Sequence, residues 1–303
     1  MPRALGDRPV LTVLVGAVAI AFSGILFRLS HVSPTTGAVY RCVFALPPLW
    51  LLARMEDRRA GSRPLRARAL AWLAGLFFSA DLVLWHNSVE QVGAGLATVL
   101  GNVQVVLVGL LAWALLRERP HRSSLAAIPI VAFGVVLISG VLEQGAYGKN
   151  PGLGTLYGVL TGVAYSGFLL LIREGNRGLN RAAGPLFDAT LTAGIGSALI
   201  GIVVGDLDWS PSWSATGWLV VLALSSQVLG WLLISSSLPR LPAVVTSVLL
   251  TLQPVCSVIF AALLVNESPS PLQLVGAACI LAGLVTATLR RRQPSVPEPE
   301  LAG

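Results

Sequence analysis

Apolar residues in this chain run on for about twenty positions at a stretch and then give way to a few polar ones. Ten such stretches occur, over roughly 10–30, 34–53, 69–89, 92–116, 123–142, 152–172, 182–205, 214–236, 242–265 and 271–289. A helix of about 18 or more residues with few charges is long enough to cross the hydrocarbon core of a bilayer. The period-two alternation of a membrane β-barrel is absent. The pattern predicts an all-α polytopic membrane protein with ten transmembrane helices and short connections.

Composition points the same way. Of 303 residues, 54% are hydrophobic and 12% charged, with a mean hydropathy of +0.76. That charged share is about half the usual value for soluble domains. The net charge of +7 comes from 20 Arg and one Lys. In a soluble protein it would suggest nucleic acid; here the charge sits in short loops, where it sets topology. Alternate connections, with the two terminal segments, carry 18 Arg, six of them between residues 54 and 68. The other side has Lys149 and Arg28. This asymmetry predicts both termini in the cytoplasm. Cys42, Cys256 and Cys279 all fall inside apolar stretches and read as small packing residues, with no disulfide and no metal site. The first stretch reads as a membrane helix and not as a signal peptide, because a matching segment recurs in the second half.

That recurrence is a repeat. A shift of 149 residues places Ala94 on Ala243, Gln104 on Gln253, Glu118 on Glu267, Pro120 on Pro269 and Gly134 on Gly283, without a gap. A shift of 143 places Ala21-Phe22-Ser23-Gly24 on Ala164-Tyr165-Ser166-Gly167. The expected units are 1–148 (spans 1–5), 149–292 (spans 6–10) and a disordered cytoplasmic tail, 293–303. Five spans is an odd number, so the second copy enters the membrane from the opposite side. Inverted repeats are a common plan of secondary transporters, with the substrate near the midplane between the repeats. The alternative is that duplication built only a scaffold.

Two five-helix halves, a Ser-Gly pair in the first helix of each, and an acidic residue closing the fourth helix of each (LLRERP at 115–120, LVNESP at 264–269) resemble the drug/metabolite transporter superfamily, specifically its EamA-type members. Within it, Trp85-His86 gives a likeness to bacterial amino-acid exporters of the YddG type. The resemblance implies a ten-helix basket in a bacterial inner membrane, with helices 1, 3, 4, 6, 8 and 9 around a central cavity. One departure is that the first helix reads Phe22-Ser23-Gly24 where the family often has Trp-Gly, so no role is carried over for that Trp.

Polar residues inside the stretches indicate where a cavity would lie, because buried ionisable groups in membranes usually face the protein interior or water. Arg41 and Asp81, at similar depth on neighbouring helices, are expected to brace each other; proton coupling through Asp81 is the alternative. Asp188 falls near the interface. Helical periodicity places Asp81 with Trp85 and Ser88 on one face, and His86 on another. Candidate cavity residues are Ser23, Trp85, His86, Thr98, Asn102, Tyr157, Tyr165, Gln227, Trp231 and Gln253. Single Ser and Thr residues can equally act as interhelical packing bonds. Gln253-Pro254 predicts a kink.

Such a lining, neutral, polar and aromatic, suits a zwitterion with an apolar or aromatic side chain. It lacks the cation cluster that a phosphate would need. The sequence thus predicts a secondary transporter of small neutral or zwitterionic metabolites, with aromatic or other apolar amino acids as the first substrate class, working as an exporter or facilitator by alternating access. A hydrophobic-cation or multidrug exporter is the alternative within the superfamily, and a channel or an intramembrane enzyme outside it. No catalytic set is evident, and no HExxH, GxGxxG or Walker pattern appears. No cofactor, nucleic acid or ATPase subunit is expected; the expected partners are a small-molecule substrate and the lipid bilayer.

Overall fold

A computed structural model describes residues 8–117, 122–179, 181–237, 241 and 243–289. The expectations at Glu118, Pro120, His121, Pro239, Arg240, Pro242, the tail and the Ser235 and Ser247 side chains lie outside the described residues.

The described residues are all-helical, with no strand. In chain order the helices are α1 (Pro9–Ala21), α2 (Ser23–Ser30), α3 (Pro34–Ala60), α4 (Leu65–Val92), α5 (Ala94–Gly101), α6 (Gln104–Leu116), α7 (Arg122–Ile138), α8 (Pro151–Gly175), α9 (Ala183–Val204), α10 (Trp213–Leu222), α11 (Trp231–Ser237), α12 (Ala243–Val265) and α13 (Pro271–Leu289). A π-helical segment, Ala223–Gly230, joins α10 to α11. Eight helical stretches are long and apolar enough to cross a membrane, and two shorter apolar ones, Arg122–Ile138 and Leu249–Val265, accompany them. The chain is a multi-pass membrane protein.

Two boundaries depart from the sequence reading. The Arg-rich segment 54–68, expected to be a loop, is mostly helix: α3 runs through Ala60 and α4 starts at Leu65. Arg and Glu are good helix formers, so the helices continue past the point where apolar residues stop. Gly61, with φ of 77°, ends α3. The fourth stretch is broken at Asn102. Its amide nitrogen points at both Thr98 O (3.3 Å) and Val99 O (3.1 Å), while its side chain donates to Thr98 O at 2.8 Å. The side chain competes for a carbonyl that the helix would otherwise use.

The helix ends sort into two groups. Glu56 and Arg181 tie the α3–α4 turn to the start of α9 at one end. Glu56 accepts from Ala182 N and Ala183 N, both at 2.9 Å, and from Gly184 N at 2.8 Å. This is the Arg-rich end. At the opposite end, Ser33, Asn150 and Ser212 side chains cap α3, α8 and α10, satisfying amides that have no partner within the helix.

Packing is mostly between the first and second halves of the chain. Helix α4 lies along α8, α7 along α13, and α9 against both α3 and α4. Helix α12 packs on α1 and α5, while α10, the π segment and α11 pack on α2, α1 and α3. Small residues let these backbones approach. A Cβ on Gly134 would stand 2.6 Å from Gly276 O, and one on Gly276 2.7 Å from Gly134 O. Close contact of this kind replaces the hydrophobic drive that is missing between helices in lipid.

Candidate functional site

Between the packed helices is a cavity of about 320 Å³. Its wall includes Ser23, Asp81, Trp85, Thr98, Asn102, Tyr165, Trp231 and Gln253 of the residues expected from sequence, together with Arg41. These come from α2, α3, α4, α5, α8, α11 and α12 and the Asn102 break, so seven helices contribute to one wall. Phe78, Gln104, Thr161 and Thr251 add to it. The cavity extends to Ile234 and Thr288, near the ends of α11 and α13 that lie away from the capped end.

Three expected residues are elsewhere. His86 is fully buried and does not line the cavity. Its ring stacks on Phe27 with centroids 4.1 Å apart, and its Nδ1 is 3.1 Å from Pro34 O. Gln227, also fully buried, sits one layer behind the wall; it accepts from Arg41 Nε at 3.0 Å and donates to Thr190 Oγ1 at 3.3 Å. Tyr157 is half-buried on α8, outside the cavity. Helical periodicity gives the direction of a side chain, but not whether the neighbour it meets is a cavity or another ring.

Arg41 and Asp81 were expected to brace each other, and they form no ion pair. Both line the cavity, 5% and 7% exposed, but the Arg41 hydrogen bond goes to Gln227. The Arg41 guanidinium also stands 5.8 Å from the Trp85 ring centroid. The π segment brings Gln227 to this position, and such bulges often occur where a helix serves a site. The wall therefore holds a guanidinium and a carboxyl group that no salt bridge joins. Aromatic rings surround them: Tyr165 and Trp231 meet with centroids 6.2 Å apart, and Phe168 stacks on Phe78 at 4.6 Å behind them.

One helical turn beyond Thr98, toward the capped end, is a contact whose partners the sequence did not indicate. Glu267, 4% exposed, accepts from Ala94 N at 2.6 Å and Gly95 N at 3.1 Å, and pairs with Arg28 of α2. Its carboxylate thus caps α5, where the helix dipole favours negative charge. Gly93 leaves room for it: φ is +94°, and a Cβ there would lie 2.7 Å from Glu267 Oε2. The repeat marked Glu267 as a matched position, but its partner is 173 residues away and no local pattern could name it.

Asp188 is held by two arginines. It is fully buried within the protein, near the start of α9, and bonds to Arg63 Nη2 at 2.8 Å and Arg68 Nε at 3.3 Å. Among the described residues, no group of His, Cys, Asp and Glu could hold a metal ion.

The profile of the EamA-like transporter family matches this chain twice, over residues 8–140 and 152–289. The chain belongs to the EamA-like transporter family. This family is part of the drug/metabolite transporter superfamily, so the chain is a transporter of that group. Relatives of this EamA-like chain include two Bacillus subtilis (strain 168) proteins. "Uncharacterized transporter YxxF" is 25% identical over 280 residues, covering 90% of this chain and 88% of the relative. "Uncharacterized transporter YwfM" is 21% identical over 244 residues, covering 78% and 80%. A solved crystal structure aligns with a TM-score of 0.61 at 16% identity, covering 94% of this chain and 99% of that one, which speaks for a shared fold.

Proposed function

We propose that this EamA-like protein is a secondary transporter in a bacterial inner membrane, moving zwitterionic amino acids with apolar or aromatic side chains as an exporter or facilitator. The observation that carries this reading is that Arg41 and Asp81 both stand on the wall of one cavity with no salt bridge between them. Arg41 would receive the substrate carboxylate, a geometry guanidinium groups favour. Asp81 would receive the ammonium group. Trp85, Tyr165 and Trp231 would take the side chain, with Asn102, Thr98, Ser23 and Gln253 supplying further polar contacts. The volume of about 320 Å³ is at the lower end of ligand pockets, as suits a small metabolite.

Alternating access is supported by the packing. Exchanging the halves maps the main contacts between them onto one another: α4 on α8 is answered by α10, the π segment and α11 on α1 and α2, and α9 on α4 by the π segment on α3. The family profile also matches once in each half. This favours an inverted repeat with its site between the halves, ten spans and both termini cytoplasmic. The cavity reaching toward the Arg-rich end, with the Glu267 contact tying helices together near the other, would then be an inward-facing arrangement.

Direct binding to the detergent-purified protein tests the substrate class. Labelled apolar amino acids should bind, and both the methyl ester and the N-acetyl analogue should compete about tenfold less well or worse, since each loses one charge-assisted contact. Equal competition by the methyl ester would favour a hydrophobic cation. Equal competition by both analogues would remove the zwitterion reading.

A further inference from the structure

At the Arg-rich end a second recess of about 540 Å³ opens between α3, α4 and α9, separate from the central cavity. Four arginines line it: Arg54 and Arg58 on α3, Arg63 in the turn and Arg68 on α4. The spacing of Trp50, Arg54 and Arg58 puts all three on one face of α3.

The two carboxylates of the recess are already engaged. Asp188 binds Arg63 and Arg68, and Asp57 pairs with Arg181 at 3.4 Å. Arg54 and Arg58 are exposed. Arg54 lies over the Trp50 ring, 5.4 Å from its centroid, and Arg58 has no carboxylate partner among the described residues. Arg63 is 9% exposed, yet its Nε and Nη1 have no hydrogen-bond partner. Oδ1 of its partner Asp188 is idle as well, so the positive charge open to a ligand in this recess is that of Arg54 and Arg58.

The surroundings point to lipid. Leu51, Met55 and Leu65 are exposed next to the recess, and Trp50 is half exposed at its rim. Apolar residues giving way to Trp and Arg at a helix end mark the headgroup level of a membrane. Setting topology accounts for the number of arginines. It does not account for their convergence on a recess.

We propose that this recess binds the phosphate of an anionic membrane lipid. The headgroup phosphate would meet Arg54 and Arg58, with the buried Arg63 adding positive charge behind them, while Trp50 and Phe187 would flank the glycerol. Basic pockets between membrane helices take such headgroups by the same chemistry.

The test uses the full chain in detergent, incubated with cardiolipin, phosphatidylglycerol or phosphatidylcholine and, separately, with millimolar inorganic phosphate. Lipid retained after size exclusion is quantified by mass spectrometry, and thermal unfolding is followed in parallel. Cardiolipin and phosphatidylglycerol should be retained and raise the Tm, and phosphatidylcholine should not. The double variant Arg54→Gln/Arg58→Gln should bind the anionic lipids more weakly by about fivefold per arginine, the equivalent of about 1 kcal/mol each. Arg59→Gln/Arg66→Gln, which removes the same charge from exposed positions outside the recess, should bind as the parent does. Equal retention of phosphatidylcholine, or equal losses in the two double variants, would overturn the proposal. Protection by inorganic phosphate that matches the lipids would overturn the lipid as the source.

Discussion

Asp81 and His86 are five positions apart on α4 and face different surroundings: Asp81 reaches the cavity, and His86 packs under Phe27. This difference yields opposite mutational outcomes. Asp81→Asn should raise the KM for amino acid by about ten- to a hundredfold, the loss of one charge-assisted bond in a desolvated site, with the Tm nearly unchanged. His86→Ala should leave KM within about twofold and lower stability by roughly 2–4 kcal/mol, because it empties a packed ring position. Proteoliposome kinetics and thermal unfolding check both; a large KM effect of His86→Ala at an unchanged Tm would restore His86 to the substrate site. Periodicity separated these two residues correctly. It missed that Arg41 turns to Gln227, because that partner lies 186 residues away in the other half.

At the scale of elements, the Glu267 contact links α2, α5 and the α12–α13 connection at one end of the cavity. Glu267→Gln should loosen that end. In a background with Cys42, Cys256 and Cys279 replaced, the thiol of a Thr98→Cys variant should react with an impermeant maleimide, added from the side of the α2–α3 connection, about tenfold faster. That factor corresponds to about 1.4 kcal/mol in the opening equilibrium. An unchanged rate would mean that Glu267 only caps a helix. Gly93→Ala should destabilise the protein by about 1–3 kcal/mol, since it adds both backbone strain and a clash with the Glu267 carboxylate; a parental Tm would contradict this. Helix positions were legible in the sequence because apolar runs are long. The breaks were less so: the one at Asn102 depends on a side chain competing with its own backbone, and the π segment gives no local signal.

For the whole molecule, the central consequence is that the cavity lies where the two halves meet, and the halves hold each other more than they hold themselves. In the proposed alternating-access cycle, one half rocks on the other and no helix unfolds. The reciprocal Gly134–Gly276 contact is one place where this assembly depends on small residues. The repeat and the polar stripes indicated such a cavity in advance. The sequence suggested a neutral wall with Arg41 and Asp81 locked together; it did not show that both line the cavity with no salt bridge between them.

Counterflow of labelled apolar amino acids in proteoliposomes tests the central claim most directly. Saturable counterflow by the parent protein, reduced at least about tenfold in Asp81→Asn at subsaturating substrate, is the result predicted here. Absence of amino-acid counterflow, or flux that rises linearly without saturation and is the same in Asp81→Asn, would contradict it.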